Sequence, residues 1–229
     1  SLDNDSFSCS NLAGGSGPAA PAAWINEFHY DNVGGDQGEF IEVAGTAGFD
    51  LSGWSLVLYN GSNGQQYATL NLSTTLANTS NGFGFEVATT SGIQNGSPDG
   101  IALVDNNGNV VEFISYEGSF SATNGPAAGS LSTDVGVSEA SNSAAGLSLQ
   151  LGGTGAQASD FTWNGSASET PGTANNGQTL SGSTGTGSST VTLTVTDVNG
   201  ISSTCTANVS IADNIAPNAV CQDVTVQLD

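Results

Sequence analysis

The sequence predicts an all-β protein built from short antiparallel strands. Glycine is abundant, with 32 residues, and Thr, Ser, Val and Asn are frequent, which favours strands joined by tight turns. Strong helix formers are scarce, since the chain contains no Met, Lys or Arg. No stretch maintains a helical period of apolar residues. Together these observations indicate an antiparallel β-sandwich.

Strand-like apolar runs recur between Gly- and Asn-rich turn signals through the central part of the chain. The clearest hairpin is IALVD-NNGN-VVEFISY at 101–116, where four turn-forming residues separate two apolar runs. This spacing predicts one sandwich over residues 24–174. Its strands are expected near residues 24–30, 39–44, 54–60, 66–71, 83–88, 101–105, 110–116, 147–151 and 160–163.

The rest of the chain is predicted to form linkers and a second, smaller β-domain. Residues 11–23 and 175–188 are rich in Gly, Ser, Ala, Thr and Pro, which is typical of linkers. Residues 189–213 alternate apolar and Thr or Ser residues around a DVNG turn, which predicts a hairpin. A further alternating strand follows Pro217. Because the chain begins without Met or a visible signal peptide, we expect a piece of a longer protein.

The charge of the chain excludes two classes of partner. The sequence has 21 acidic residues and no Lys or Arg. Nucleic acids and anionic membrane surfaces are bound through Lys and Arg, so neither is an expected partner. No segment approaches the roughly 18 apolar residues of a spanning helix, so membrane insertion is not expected either. Calcium suits such an acidic chain, although solubility alone explains the same composition.

The stretch WINEFHYDNVGGDQGEFIEVAG at 24–45 holds five carboxylates and the only histidine. A catalytic site here would use His29 with one of the acids Glu27, Asp31, Asp36, Glu39 and Glu42. No G-x-S-x-G or H-E-x-x-H motif is present, and Glu27 and Glu42 lie in strand-like runs. Paired-carboxylate chemistry stays compatible with the sequence. We nevertheless predict no catalytic residue.

Calcium is the alternative use of this stretch. Hard oxygen ligands are available within one predicted loop from Asp31, Asn32, Asp36 and Glu39, although their spacing is not that of an EF-hand. The competing interpretation is a solvated acidic turn, with Glu27 or Glu42 accepting backbone N–H bonds. For His29, the nearby carboxylates favour the charged form and predict titration near neutral pH. Such a histidine could act as a pH switch or could be a passive residue of the strand, and the sequence is compatible with both roles.

The block 24–174 resembles a lamin-tail domain of the bacterial extracellular type. The resemblance lies in WINEFHYDN…GEFIEVAG, DLSGWSLVLYNGSNGQ, GSPDGIALVDNNGNVVEFISYEG and DFTWNGSASETPGTANNGQ. It implies an immunoglobulin-like β-sandwich without intrinsic catalysis. Such domains are attached to secreted nucleases or to large surface proteins.

The flanking sequence is similar to a different family, the hyalin-like repeats of giant bacterial surface adhesins. These include gliding-motility adhesins that use type IX secretion. In that repeat SFSCSN runs into TVTLTVTDVNG, whereas here the two stand at 6–11 and 190–200. The resemblance therefore implies that the central block is inserted into one host repeat, formed by 1–10 and 189–214. Residues 215–229 would be the first strand of the next repeat.

The same resemblance accounts for an odd number of cysteines. Cys9 and Cys205 would pair within the host repeat across the insertion, and Cys221 would open the next repeat without a partner in this chain. A second calcium site is suggested where the repeats meet, because ADNIAP is similar to the calcium linkers of cadherins. Its candidate ligands are Asp197, Asn199, Asp213 and Asn214. Asp and Asn are also ordinary turn residues, which is the simpler explanation.

We therefore predict a non-catalytic, adhesive segment of a large secreted protein at a bacterial cell surface. Its partners would be the neighbouring repeats and a surface, glycan or protein ligand. Two alternatives are an accessory domain of a secreted nuclease or phosphatase, and a carbohydrate-binding module that uses aromatic residues such as Trp54. Most aromatic residues lie in strand-like runs, which favours a role in the core.

Overall fold

The computed structural model describes residues 23–181, 187–196, 200 and 202–211, and their regular structure is almost entirely β. The elements are β1 Ala23–His29, β2 Phe40–Thr46, β3 Ser55–Asn60, β4 Gln65–Asn71, β5 Phe83–Thr89, β6 Asp99–Val104, β7 Val110–Tyr116, β8 Thr133–Asp134, β9 Leu147–Gly155, a 3-10 turn Ala158–Asp160, β10 Phe161–Ser168, β11 Gln178–Leu180, β12 Gly187–Thr196 and β13 Ser202–Ile211. The all-β prediction is confirmed. None of the described residues belongs to a helix long and apolar enough to cross a membrane.

The chain divides into two compact units, and the described residues 23–181 belong to the larger one. Sheet I of this unit has the order β10-β9-β1-β2-β5, with β11 added in parallel to β9; sheet II has the order β4-β3-β6-β7-β8. Side chains from both sheets form one core, among them Ile25 and Ile41 from sheet I and Leu56 and Ile101 from sheet II. The unit is therefore a β-sandwich, and each strand predicted between 24 and 163 has a counterpart in it.

In the middle of β1, the alternation between side chains that face the core and side chains that face away from it shifts by one residue. Ala23 and Ile25 face the core before the shift, and Phe28 faces it afterwards. A bulge between Ile25 and Glu27 in the pairing with β2 causes the shift. As a result, Asn26 and Glu27 both bond to groups on the face of sheet I that points away from the core.

Connecting segments cover the outer faces of both sheets with apolar side chains of their own. On sheet II, Phe120, Ala122 and Ala127 pack in a cluster with residues of β3, β6 and β7. On sheet I, Ala174 of the segment before β11 packs against the cluster that contains Trp24 and Ala44. These additions explain why the outer faces, which the sequence analysis left unassigned, carry apolar residues.

The predicted linker 175–188 begins too early. Its residues Gln178–Leu180 form β11, which pairs with Gly153–Gly155 of β9, and Asn175 is buried. The composition of this segment predicted a linker because Asn and Gly are typical of turns. In this segment the amides instead bond to buried groups, as Asn175 does by donating to the carbonyls of Asn26 and Leu151.

The described part of the smaller unit is one antiparallel hairpin. Strands β12 and β13 pair continuously from Gly187 with Ile211 to Thr196 with Ser202, as predicted for residues 189–213. Several other predictions fall outside the described residues: the host segment 1–10, nearly all of the linker 11–23, the strand 215–229, Cys9, Cys221, and the candidate ligands Asp197, Asn199, Asp213 and Asn214. Only the backbone of Cys205 is described, so the disulfide stays a prediction.

Candidate functional site

The acidic stretch 24–45 forms β1, β2 and the loop between them, and most of it is buried. Asp31, Asn32 and Glu39 are 7%, 3% and 4% exposed, whereas Asp36 is exposed. The two oxygens of Glu39 accept hydrogen bonds from the N–H groups of Gly92 and Ile93, at 2.6 and 2.7 Å. Glu39 therefore fastens β2 to the loop after β5 and does not converge with the other candidate ligands.

The remaining candidate calcium ligands lie closer together. Asp36 accepts from the Asn32 N–H at 3.2 Å and from the Asn95 side chain at 3.3 Å. Burial and then the charge of Asp36 raise the pKa of the Asp31 carboxyl. Within the described residues, however, no group of three or more His, Cys, Asp or Glu side chains is arranged to hold a metal ion. The calcium site stays a prediction, with Asp31 and Asp36 at its centre.

Calcium is expected to stabilise the chain only slightly. With two converging carboxylates we expect a Kd of about 1 mM, so roughly 2 mM calcium would add about 0.6 kcal/mol to the free energy of unfolding. Thermal unfolding in calcium and in EDTA measures this, with Asp36→Asn as the control. A shift that survives in Asp36→Asn would place the ion elsewhere, and a much larger shift would mean that Glu39 leaves its amides to bind it.

His29 forms a buried ion pair with an acid far away in sequence. Its Nδ1 lies 2.8 Å from Oε1 of Glu139, and both side chains are fully buried. Its Nε2 lies 3.2 Å from Oδ1 of Asn32. Burial acts to lower the pKa of His29, but the hydrogen bond and charge of Glu139 outweigh it and raise the pKa to about 9. The charged form is favoured, as predicted, but titration near neutral pH was wrong because the partner is a buried carboxylate.

Glu139 also holds the end of β1. Its Oε2 accepts from the N–H groups of Tyr30 and Asp31 at 2.7 and 3.0 Å. Its own N–H donates to the Tyr30 hydroxyl at 2.8 Å, and that hydroxyl donates to Glu117 at 2.9 Å. The carboxylate of Glu139 thus accepts hydrogen bonds from two backbone N–H groups and pairs with the only histidine of the chain.

Glu27 and Glu42 face each other across β1 and β2 and are fully buried. Glu27 accepts bonds from the N–H and hydroxyl of Thr170 at 2.7 and 3.0 Å, and from Ser148 at 2.5 Å. Glu42 accepts from the Asn26 side chain at 2.9 Å and from the N–H of Gly172 at 2.6 Å. Both acids therefore fasten segment 169–181 onto sheet I, which agrees with the backbone-accepting role considered for them.

Burial raises the pKa of both acids. For Glu42, burial and the nearby charge of Glu27 raise the pKa to about 8, against the bonds from Asn26 and Gly172 that lower it. For Glu27, burial outweighs the four bonds that lower its pKa. Since no described cation contacts either acid, the pair holds fewer than two negative charges near neutral pH.

Sequence reasoning missed the partners of these acids. Glu139 lies in the stretch GVSEASN, which carries no motif, so only the folded chain identifies it as the partner of His29. Thr170, Gly172 and Asn175 belong to ETPGTANNGQ, the last stretch of the lamin-tail resemblance. The strand spacing placed residues up to 174 in the sandwich, and only that resemblance extended as far as Gln178.

A groove with a cavity volume of about 540 Å³ lies between the two sheets, lined by residues of β7, β8, β9, the 3-10 turn and β10. Among them, Glu112 of β7 crosses to sheet I, where its Oε2 accepts from the N–H of Ile25 at 2.9 Å. Burial raises the pKa of Glu112 to about 7, against this bond, which lowers it. Trp163 of β10 is half-buried in the wall, with its ring 5.1 Å from that of Phe28.

Comparisons of the chain with protein-family models, with curated proteins and with solved structures find no match.

Proposed function

We propose that this chain is a non-catalytic display segment of a large, secreted adhesin at a bacterial cell surface. One observation carries the proposal: the buried acid pair and the histidine of its most acidic stretch hold strands and covering segments of the sandwich together. Glu27, His29 and Glu42 are fully buried and bonded to other strands or covering segments. What this unit offers to a partner is its surface.

Burial also weighs against a catalytic use of the acid pair. A glycosidase places two carboxyl groups on either side of a bond in its substrate, so both must be reached from a cleft. The oxygens of Glu27 and Glu42 instead accept bonds from Thr170, Gly172 and Asn26 inside the protein. A substrate would have to displace segment 169–181 to reach them.

At the level of the family, we propose a lamin-tail-like, immunoglobulin-like sandwich inserted into a hyalin-like repeat. The positions of the ends of the sandwich support an insertion. Both β1, which begins at Ala23, and β11, which ends at Leu180, pair with β9, and Trp24 and Leu180 share one apolar cluster. Ends that lie close together allow a domain to be inserted into a loop of another, and the entropy of loop closure grows slowly with length.

The alternatives receive less support from the described residues. A module that positions DNA for a nuclease needs a basic face, and the sequence has no Lys or Arg. For carbohydrate binding by Trp54, the ring would have to be accessible for stacking. Trp54 is 8% exposed and packs edge-on against Phe49 at 5.3 Å, so it serves the core.

Adhesion that depends on the folded chain is the expected result of a bead assay. Beads carrying the full chain are flowed over glass coated with a lysine-containing peptide, with a glycan mixture, or with neither, at physiological salt. Beads carrying polyglutamate of matched charge control for simple attraction. We expect the folded chain to hold at least one coated surface several-fold better than the control does. Equal retention on every surface would contradict an adhesive function.

A further inference from the structure

The groove between β7 and β10 is bounded by strand edges that the described residues leave open. Among the described strands, the first half of β7, from Val110 to Phe113, pairs with β6 alone, because β8 pairs at Ile114 and Ser115. On the other side of the groove, β10 has β9 as its one described neighbour and lies at the end of sheet I. The cavity of about 540 Å³ is within the size range of ligand sites.

The lining of the groove combines apolar walls with a carboxyl group. Leu151, Val135 and Trp163 contribute apolar surface, and Thr162 and Ser159 contribute hydroxyls. Glu112 is held in place by its bond to the Ile25 N–H. Oε2 accepts that bond, and no described residue donates to Oε1, which can therefore accept from a donor that enters the groove. An apolar wall beside a fixed carboxylate suits a cation with an alkyl stem.

Such a cation has to come from another molecule. The chain contains no Lys or Arg, and its only histidine is fully buried against Glu139. A second copy of the chain has the same composition, so it offers no cation either, and a net charge of −21 on each copy opposes their association. A partner of different composition is required.

We propose that this groove binds a lysine or arginine side chain of a partner protein. The alkyl stem packs along Leu151 and Trp163, and the charged head bonds to Glu112, with the indole ring adding a cation–π attraction. Asp134 of β8, which also lines the groove, adds to the negative potential. This inference rests on the proposed function, since it gives the adhesive segment a contact site and a class of ligand.

Binding of a cation is expected to strengthen with pH, which separates it from binding of a neutral sugar. Glu112 has its pKa raised to about 7 by burial, and a bound cation favours its ionised form. The other acids on the surrounding elements are Asp134 of β8, Asp160 of the 3-10 turn, Glu27 of β1 and Asp99 of β6, which lies opposite Tyr116 at the other end of β7. Glu27 faces the opposite side of sheet I, and Asp160 has its pKa lowered by the Ala156 N–H, so it is ionised throughout.

The test is an NMR titration of the full chain with Nα-acetyl-lysine methylamide, followed at the indole N–H of Trp163. The norleucine analogue, which lacks the charge, and methyl glucoside serve as neutral probes. We expect saturable binding of the lysine probe alone, about tenfold tighter at roughly pH 8 than at pH 6. Tighter binding of the glucoside, or equal binding of the norleucine probe, would overturn the proposal.

Two variants that each remove one negative charge complete the test. Glu112→Gln keeps an acceptor for the Ile25 N–H and is expected to weaken lysine binding about tenfold and to abolish its pH dependence. Glu169→Gln removes an exposed charge and is expected to leave binding unchanged. An equal loss of affinity for the lysine probe in both variants would mean that the probe is attracted by the overall negative charge. That result would contradict specific binding in the groove.

The outcomes distinguish this inference from the proposed function. Beads carrying Glu112→Gln that hold a surface as well as the unchanged chain would overturn the groove as the adhesive contact, while adhesion itself stands. Lysine binding in the groove, combined with no retention of beads on any surface, would overturn adhesion instead.

Discussion

The free energy of unfolding is expected to be largest at about pH 4.5 to 5 and to decrease steadily towards pH 9. The cause is a set of buried acids whose pKa is raised in the folded state, to about 8 for Glu42 and about 7 for Glu112. Unfolding returns them to an ordinary pKa of 4.5, so between these values the folded chain binds more protons. Raising the pH therefore favours the unfolded chain.

Loss of the proton from His29 also lowers the free energy of unfolding, but at higher pH. Its pKa is about 9 when folded, raised from 6.5, so its contribution is complete below pH 6.5 and is lost as the pH rises through 9. Three surface carboxyls, those of Asp50, Asp105 and Asp160, have the opposite effect on the free energy of unfolding at acid pH. Hydrogen bonds from Ser52, Asn109 and Ala156 lower their pKa values, so their contribution is present above about pH 4 and is lost below it.

Urea unfolding at a series of pH values measures this dependence. Each unit of pKa shift corresponds to about 1.4 kcal/mol, so Glu42 alone is expected to contribute a loss on the order of 4 kcal/mol between pH 5 and 9. Glu42→Gln is expected to flatten the curve, and Glu169→Gln to leave it unchanged. Stability that rises from pH 5 to 8 would mean that the buried acids are ionised.

Repulsion among the surface carboxylates does not produce this slope. Exposed acids are nearly all ionised by about pH 6, so their repulsion is constant above that value. A decrease that continues from pH 6 to 9 has to come from groups that titrate there. Among the described residues, Glu42, Glu112 and His29 have pKa values of about 8, 7 and 9. Added salt, which screens surface charge, is expected to leave this part of the curve in place.

The strands of the sandwich were predictable because their signals are local. In β6 and β7 the apolar runs and the DNNGN turn lie within 101–116, so a window of the sequence contains the whole hairpin. The short strands β8 and β11 gave no such signal. Thr133–Asp134 and Gln178–Leu180 are too short to show alternation, and each pairs in parallel with a strand that a turn does not connect to it, so nothing in their own residues indicates that pairing.

The site was predictable only in part, for the same reason. The sequence identified Glu27, His29 and Glu42 as unusual because they lie together in one stretch. Their partners Glu139 and Thr170 lie more than 100 residues further along. The bulge in β1, which turns Asn26 and Glu27 to the same face, also interrupts the alternation that a sequence pattern relies on. Their burial and raised pKa values follow from these long-range contacts.

Replacing Glu139 with alanine is expected to destabilise the sandwich by about 3 to 5 kcal/mol. The change removes the anion paired with His29 and leaves the N–H groups of Tyr30 and Asp31 without their acceptor. Buried groups left unpaired carry the full cost of desolvation. Urea unfolding at neutral pH measures the loss, and Glu169→Ala, at an exposed position, is expected to stay within about 0.5 kcal/mol of the original chain.

The single histidine allows the same contact to be measured without relying on stability. In the original chain, NMR titration of the one imidazole signal is expected to give a pKa of about 9. Glu139→Gln keeps an acceptor for one of the two amides but removes the charge, so burial then dominates and the pKa of His29 is expected to fall below 6.5. A pKa that stays near 9 in Glu139→Gln would mean that another carboxylate of the β1–β2 loop holds the imidazolium. In that case the large loss in Glu139→Ala would come from the two amides alone.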